Sequence, residues 1–169
     1  VLQSRKLPLR KDIKDPRLRK IIDEGQVVLE KGPEEINMSY DRSCNLACPS
    51  CRASMIILKA EALERAKVIH DRVTADHLRD AKRLIITGSG DPFGSKLFHS
   101  FLRQFDPATA PELRITLSTN GLLFTPVTWS KICKEAIDRV DVSVDGASPE
   151  SYRLNRGGDY EQLVKNLTF

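Results

Sequence analysis

From Glu35 onward the sequence repeats one unit: a short apolar strand, a loop rich in Gly, Ser, Asn or Asp, and a stretch of helical periodicity. This repetition restricts the fold more than any single motif, because strands alternating with helices at this spacing imply right-handed βαβ units and a parallel sheet. Predicted strands run over 36–40, 84–87, 113–118 and 140–144. The first predicted helix covers 56–82, with Ile56, Ala60, Leu63, Ala66, Ile69 and Val73 on one face and a break near 74–76. The second is capped by Ser95, presents Leu97, Phe98, Phe101, Leu102 and Phe105, and stops at Asp106-Pro107. Thr125-Pro126 opens a third, burying Val127, Ile132, Ala136 and Ile137. A last helix starts near Asp159, with Gln162 in the capping-box position and Leu163, Val164 and Leu167 along it, and is still helical at Phe169.

The strands also alternate in polarity. Asn37, Ser39 and Asp41 share one face; Arg114, Thr116, Ser118 and Asn120 share another; Asp141, Ser143 and Asp145 a third. Both faces of a parallel sheet are normally covered and apolar, so a repeated polar face needs a use, and a polar lumen holding a charged ligand supplies one. The expected fold class is therefore α/β: a partial, TIM-like (β/α) barrel of parallel strands, with four βα units visible.

The first loop of this series holds the densest chemistry. Cys44-Asn-Leu-Ala-Cys48-Pro-Ser-Cys51 puts three of the four cysteines in eight residues, at spacing C-x3-C-x2-C. Thiolates packed this closely repel one another unless a metal holds them, and soft sulfur donors select zinc or iron–sulfur clusters. Closed structural sites use four protein ligands, so three cysteines without a nearby histidine leave one metal corner open to a small molecule. His70, His77 and His99 all fall downstream; His70 and His77, flanked by charge, read as surface residues. Cys133, in Lys-Ile-Cys-Lys-Glu, reads as a partly buried helical thiol with a structural role.

With this loop placed after the first strand, the sequence resembles the radical S-adenosylmethionine (SAM) enzymes. The resemblance implies a (β/α)6 core, so that two further strands and their helices lie beyond these residues. It implies that Cys44, Cys48 and Cys51 bind a [4Fe-4S] cluster whose fourth iron is chelated by SAM, and that reductive cleavage of SAM yields a 5′-deoxyadenosyl radical. Three later loops are similar to the family's SAM-contacting stretches. Thr87-Gly88-Ser89-Gly90-Asp91-Pro92 resembles its glycine-rich motif, with Ser89 and Asp91 replacing more usual residues and Asp91 able to oppose the SAM ammonium. Ser118-Thr-Asn120-Gly121 and Ser143-Val-Asp145-Gly146 resemble its S/T-x-N-G and S-x-D-G stretches. Ser143 would contact the SAM carboxylate or ribose, and Asp145 either bonds a ribose hydroxyl or shapes its turn.

Arg156-Gly-Gly-Asp159 resembles the SPASM group of peptide- and protein-modifying members, in which an arginine pairs with the SAM carboxylate; Arg153 competes for that role. The residue before the third cysteine, often aromatic in the family, is Ser50 here, so the resemblance leaves adenine packing to backbone or to another side chain, Tyr40 or one beyond Phe169. The resemblance implies a peptide or protein substrate and a flavodoxin- or ferredoxin-like reductant. Two other readings remain open on the residues alone: a cluster-binding scaffold that does not cleave SAM, and a structural zinc module.

Composition decides what partners are excluded. Lys and Arg exceed Asp and Glu by 27 to 23, and eight of these basic residues lie in the first 20 positions. Such an arm fits a solvated surface helix, and no nucleic-acid partner is expected. No apolar run approaches the roughly 20 residues a membrane span needs, and Val1-Leu-Gln-Ser-Arg-Lys is not a secretory signal, so a cytoplasmic protein is expected. Residues 1–33 form a basic lead-in segment, with a charged helix near 17–24 stopped by Gly25 and a Val27-Val-Leu stretch readable as strand or helical turn. The resemblance implies that residues 34–169 form a core domain, expected to be truncated at its C-terminal end.

Overall fold

The computed structural model describes residues 9–169, and the chain divides into two compact units, Val1–Gly32 and Pro33–Phe169. In the first unit, α1 (Pro16–Glu24) begins with proline at its first position and Asp15 accepting from the Arg17 and Leu18 amides. Gly25 ends it at φ 61°, a left-handed position that glycine occupies without steric cost. Residues 27–29 are neither strand nor helix.

The second unit contains β1 (Glu35–Met38), α2 (Ala60–Asp76), β2 (Arg83–Ile86), α3 (Lys96–Gln104), β3 (Arg114–Thr119), α4 (Pro126–Ser130), β4 (Ile137–Val142), α5 (Pro149–Arg156) and α6 (Tyr160–Leu167). All pairings are parallel and the strand order is β1-β2-β3-β4. Sequential order with right-handed crossovers puts every connecting helix on the same side of the sheet, the arrangement of a barrel wall; a doubly wound sheet would reverse its order. One face carries the core: Ile36, Met38, Leu84, Ile86, Ile115 and Leu117 are buried with Leu78, Phe98, Leu102, Ile132 and Ala136. Each of the larger apolar side chains among them contributes about 1.5–3 kcal/mol by leaving water. The opposite face is the polar one, where Asn37, Ile85, Thr116 and Arg139 lie in register, with Ile85 the apolar exception.

Several elements differ from expectation for identifiable reasons. α2 starts at Ala60, since the Cys44 amide donates to the Ile56 carbonyl (2.8 Å) and folds 52–58 back over the cysteine loop as an antiparallel bridge. Its buried residues are Ala66 and His70, whereas Ile69 is exposed. The face is turned because His70 Nδ1 is hydrogen-bonded to the Tyr40 hydroxyl (2.7 Å) and its ring packs edge-on against Phe101, so His70 is not a surface residue. His77 is exposed, as expected.

The helix opened by Thr125-Pro126 stops at Ser130. Val127 is exposed, Ile132 and Ala136 are buried from irregular backbone, and Ile137 begins β4. Cys133 therefore sits off any helix, with its amide donating to the Leu102 carbonyl (2.8 Å). α5 is an addition to the expected elements, although Ser148-Pro149 carries its start signal; Ser148 and Ser151 form a reciprocal capping box. α6 starts after Asp159 as expected and ends at Leu167 rather than continuing through Phe169. Of its three apolar residues only Leu163 is buried.

Candidate functional site

The cysteine loop leaves the end of β1, and its shape is set by turns. The Cys51 and Arg52 amides both donate to the Cys48 carbonyl (2.8 and 3.0 Å), which brings the second and third cysteines onto one turn. All three thiols are free; Cys44 and Cys48 are buried and Cys51 is exposed. Burial pushes the Cys44 thiol pKa up, opposed by a hydrogen bond from the Leu46 backbone.

Two side chains donate to these sulfurs. Asn120, from the loop after β3, places its amide nitrogen 3.6 Å from Cys44 Sγ and 2.8 Å from Asn45 Oδ1. Arg52 directs Nη2 and Nε at Cys51 Sγ (3.3 and 3.4 Å). Arg52 is a residue that motif matching misses; the only signal for it is a cation directly after the last cysteine.

The loop after β2 is clamped onto the cysteine loop. The Asp91 amide donates to the Ser43 carbonyl (2.9 Å), and the Ser89 hydroxyl donates to the Ser39 carbonyl (2.6 Å). A Cβ on Gly90 would lie 2.7 Å from the carbonyl oxygens of both Asp41 and Ser43, so only glycine permits this backbone approach. Gly88 is exposed, and a Cβ there would meet only the Ser39 hydroxyl, at 3.8 Å.

Asp91 is fully buried, and its two carboxylate oxygens accept four hydrogen bonds: from the Phe93 and Gly94 amides, the Thr119 hydroxyl and the Asn120 amide. A carboxylate has about four acceptor positions. Asp91 is thus occupied in joining the loops after β2 and β3, and the expectation that it opposes a ligand ammonium gives way to a positioning role. Asp41, expected on the polar strand face, is likewise buried and accepts from the Ser43 amide and the Ser95 hydroxyl (2.8 and 2.5 Å). Thr119 and Asn166 also escape sequence reading; Asn166 is buried on α6 and donates to the carbonyls of Gly121 and Leu122 (2.8 and 2.9 Å).

The groups following β4 are arranged differently. Ser143 and Asp145 are exposed, whereas Ser118, in β3, is half-buried. Asp145, at φ 51°, accepts from Arg156 Nη1 (3.0 Å), so two residues expected to meet a ligand separately meet each other. The Arg156 side chain is 16% exposed, and its Nε is buried without a hydrogen-bond partner. The buried Tyr152 hydroxyl is also without one. Burial raises the Tyr152 pKa while the nearby Arg156 charge lowers it. Arg153 is exposed.

Among the described residues no three His, Cys, Asp or Glu side chains are arranged to hold a metal ion, so the sulfurs share a loop without converging on one point. The chemistry of the donor set nevertheless fits an iron–sulfur cluster. Three free soft sulfurs occupy one loop, and side-chain N–H donors reach two of them. No helix is long and apolar enough to cross a membrane among the described residues.

Comparison with known proteins identifies this arrangement. The chain is 30% identical over 146 residues to the AdoMet-dependent heme synthase of Methanosarcina barkeri, covering 83% of this chain and 40% of that protein. It is 27% identical over 130 residues to mycofactocin maturase MftC of Mycolicibacterium smegmatis, covering 74% of this chain and 31% of that one. It therefore spans no more than about two fifths of either relative. Among solved structures, Streptococcus suis SuiB bound to precursor peptide SuiA matches with a TM-score of 0.53 at 17% identity, over 89% of this chain and 32% of that one, a likeness of fold. The Radical SAM superfamily profile matches residues 38–168, well over half the chain, which therefore belongs to the Radical SAM superfamily.

Proposed function

We propose that these residues are the first four βα units of a radical SAM enzyme core, preceded by a basic lead-in segment, in which Cys44, Cys48 and Cys51 hold the [4Fe-4S] cluster of this family. The single observation that carries the reading is the donation from Asn120 to Cys44 Sγ: a residue of the third strand's loop reaches the first strand's cysteine. A structural zinc loop needs no such convergence of strand ends. When bound, the cluster and SAM supply one-electron cleavage of SAM to methionine and a 5′-deoxyadenosyl radical, which takes a hydrogen atom from the substrate.

The chain's own residues bind and orient. Asn120 and Arg52 hold the sulfurs, Asp91 fixes the Asn120 backbone, and Gly88 together with the backbone of Ser89 and Gly90 offers an edge to the SAM amino group. Ser118, near the end of β3, and Ser143 and Asp145, after β4, would face the SAM carboxylate and ribose, with Arg156 supplying the cation for the carboxylate. A peptide or protein substrate, as in the SPASM group, is supported by the likeness to MftC and to SuiB bound to its precursor peptide. A flavodoxin- or ferredoxin-like reductant in a reducing cytoplasm is in keeping with four free cysteines.

The test is anaerobic reconstitution with iron and sulfide, followed by iron counting, electron paramagnetic resonance with and without SAM, and assay for 5′-deoxyadenosine. About four irons per chain, a signal perturbed by SAM and deoxyadenosine from the full-length reduced protein are expected. Retained zinc without a cluster signal would overturn the reading; a cluster without deoxyadenosine would reduce it to a scaffold.

A further inference from the structure

Arg52 bridges two loops at the mouth of the sheet, although no motif marks it. Its Nη1 donates to the Arg42 carbonyl (2.7 Å), on the cysteine-loop side, and its Nη2 to the Ser89 carbonyl (2.6 Å), in the loop after β2. The same guanidinium directs Nη2 and Nε at Cys51 Sγ. The planar fork suits such bridging, because five N–H donors in fixed geometry can satisfy two carbonyls and a sulfur together, which a lysine ammonium on a flexible stem does not reproduce.

Cys51 is also the exposed cysteine of the three, while Cys44 and Cys48 are buried. Its sulfur is the one that water reaches most readily, and the one for which a fixed cation and N–H donors matter most. Hydrogen bonds to cluster sulfurs and local charge set the potential of iron–sulfur centres, because the added electron is stabilised by donors and cations around the sulfurs. Outer partners of this kind also orient the ligand and hold the metal.

We infer that Arg52 is a positioning residue for the cluster: it fixes Cys51 against the loops after β1 and β2 and sets the cluster's reduction potential through N–H donation to the Cys51 sulfur. This rests on the cluster-binding reading above. It extends that reading by assigning a role to a side chain outside the cysteine, glycine-rich and strand-end motifs. Arg52 is not a catalytic residue in this assignment, since it acts through Cys51.

The experiment compares wild type, Arg52→Lys and Arg52→Gln, each as the full chain reconstituted anaerobically. Three quantities are read: the cluster's midpoint potential by titration monitored with electron paramagnetic resonance, the rate of iron loss to a chelator, and the melting temperature of the cluster-free protein. Arg52→Gln should shift the potential negative, since a cation and its donors are removed, and should lose iron about 10-fold faster, the scale seen for outer partners of metal ligands. Arg52→Lys, which keeps the charge and loses the fork, should show a smaller potential shift and nearly the same acceleration of iron loss.

A melting temperature that falls in both variants with the potential unchanged would make Arg52 a loop brace only and overturn the assignment. So would variants indistinguishable from a wild type that carries a full complement of iron. Wild-type protein that takes up no iron overturns the parent reading and this one with it, so the two failures are separable.

Discussion

The two sides of the candidate site are built to different standards. Around β1, β2 and β3 the loops are bound into one polar network, with Asp91 and Asp41 buried, their carboxylates occupied by neighbours, and the loops joined by backbone hydrogen bonds. After β4 Ser143 and Asp145 are exposed, and the Asp145 carboxylate pairs with Arg156. β4 itself joins the sheet through a register shift opposite Ile115 and Thr116. On the proposed assignment the contrast has a physical reason: three sulfurs around a metal need a fixed frame, whereas groups that meet a diffusing ligand must be reachable and can pair with each other in its absence.

The largest expected effect comes from breaking the built side at its centre. Asp91→Ala removes the acceptor of four donors, three of them backbone amides in a buried site. Each donor stranded away from water costs about 1–3 kcal/mol. Partial rescue by water leaves an expected loss of about 3 kcal/mol or more, measured by urea unfolding, together with failure to retain iron. A loss below about 1 kcal/mol would show that the network does not frame the site.

Gly90→Ala comes next, since its Cβ would meet two backbone oxygens that cannot rotate away. An expected cost of about 2 kcal/mol follows from overpacking of this kind. The iron stoichiometry of reconstituted protein should fall with it, because the glycine-rich loop would be pushed off the cysteine loop.

How much of the molecule is legible in its sequence follows the same division. The four strands, the Ser95, Thr125 and Asp159 caps and the cysteine loop can be read because each depends on local chemistry: period-two alternation, a side-chain oxygen before a helix, thiols at fixed spacing. The Asp91 network cannot, because its partners lie 28 and 29 positions away in sequence and nothing local distinguishes a carboxylate aimed at a ligand from one aimed at a neighbouring loop. His70 misleads for the same reason. Charged neighbours on its helix suggest a solvent face, whereas Tyr40, 30 positions upstream, draws it inward. Periodicity overestimates the length of the helix after Thr125 because Ile132 and Ala136 are buried without being helical.

His70 also gives the fold a pH dependence in the range where histidines titrate. Its pKa is lowered, chiefly by burial, with Asp71 opposing and Lys67 adding to the shift. An unfolded histidine takes up a proton near pH ~6.5, and the folded one resists it, so below that pH the unfolded state binds more protons and stability falls as pH falls. His99 is shifted in the same direction, first by burial and then by Arg103 and Lys131. Melting temperatures between pH ~7.5 and ~5.5, the range that brackets histidine titration, should therefore decline. His70→Gln should flatten the slope while leaving the His99 share. An unchanged slope in that variant would remove His70 from the account.

The smallest effect on stability, and the sharpest test of the contrast, belongs to Asp145→Asn. Asp145 is 60% exposed, so loss of its pairing with Arg156 should alter unfolding free energy by no more than about 0.5 kcal/mol, as for exposed ion pairs generally. The ligand side should respond in the opposite sense. Arg156 is mostly buried, its Nε has no partner, and Asp145 is the carboxylate that occupies its Nη1. On the proposed assignment of Arg156 to the SAM carboxylate, Asp145 competes with the ligand for the same guanidinium. Its removal should tighten SAM binding to reconstituted protein by roughly 2–5-fold, the equivalent of an exposed ion pair, as measured by calorimetry. Weaker binding would instead place Asp145 on the ligand, as a ribose contact, and would mean that the β4 side is as much a built site as the cysteine side once SAM is present.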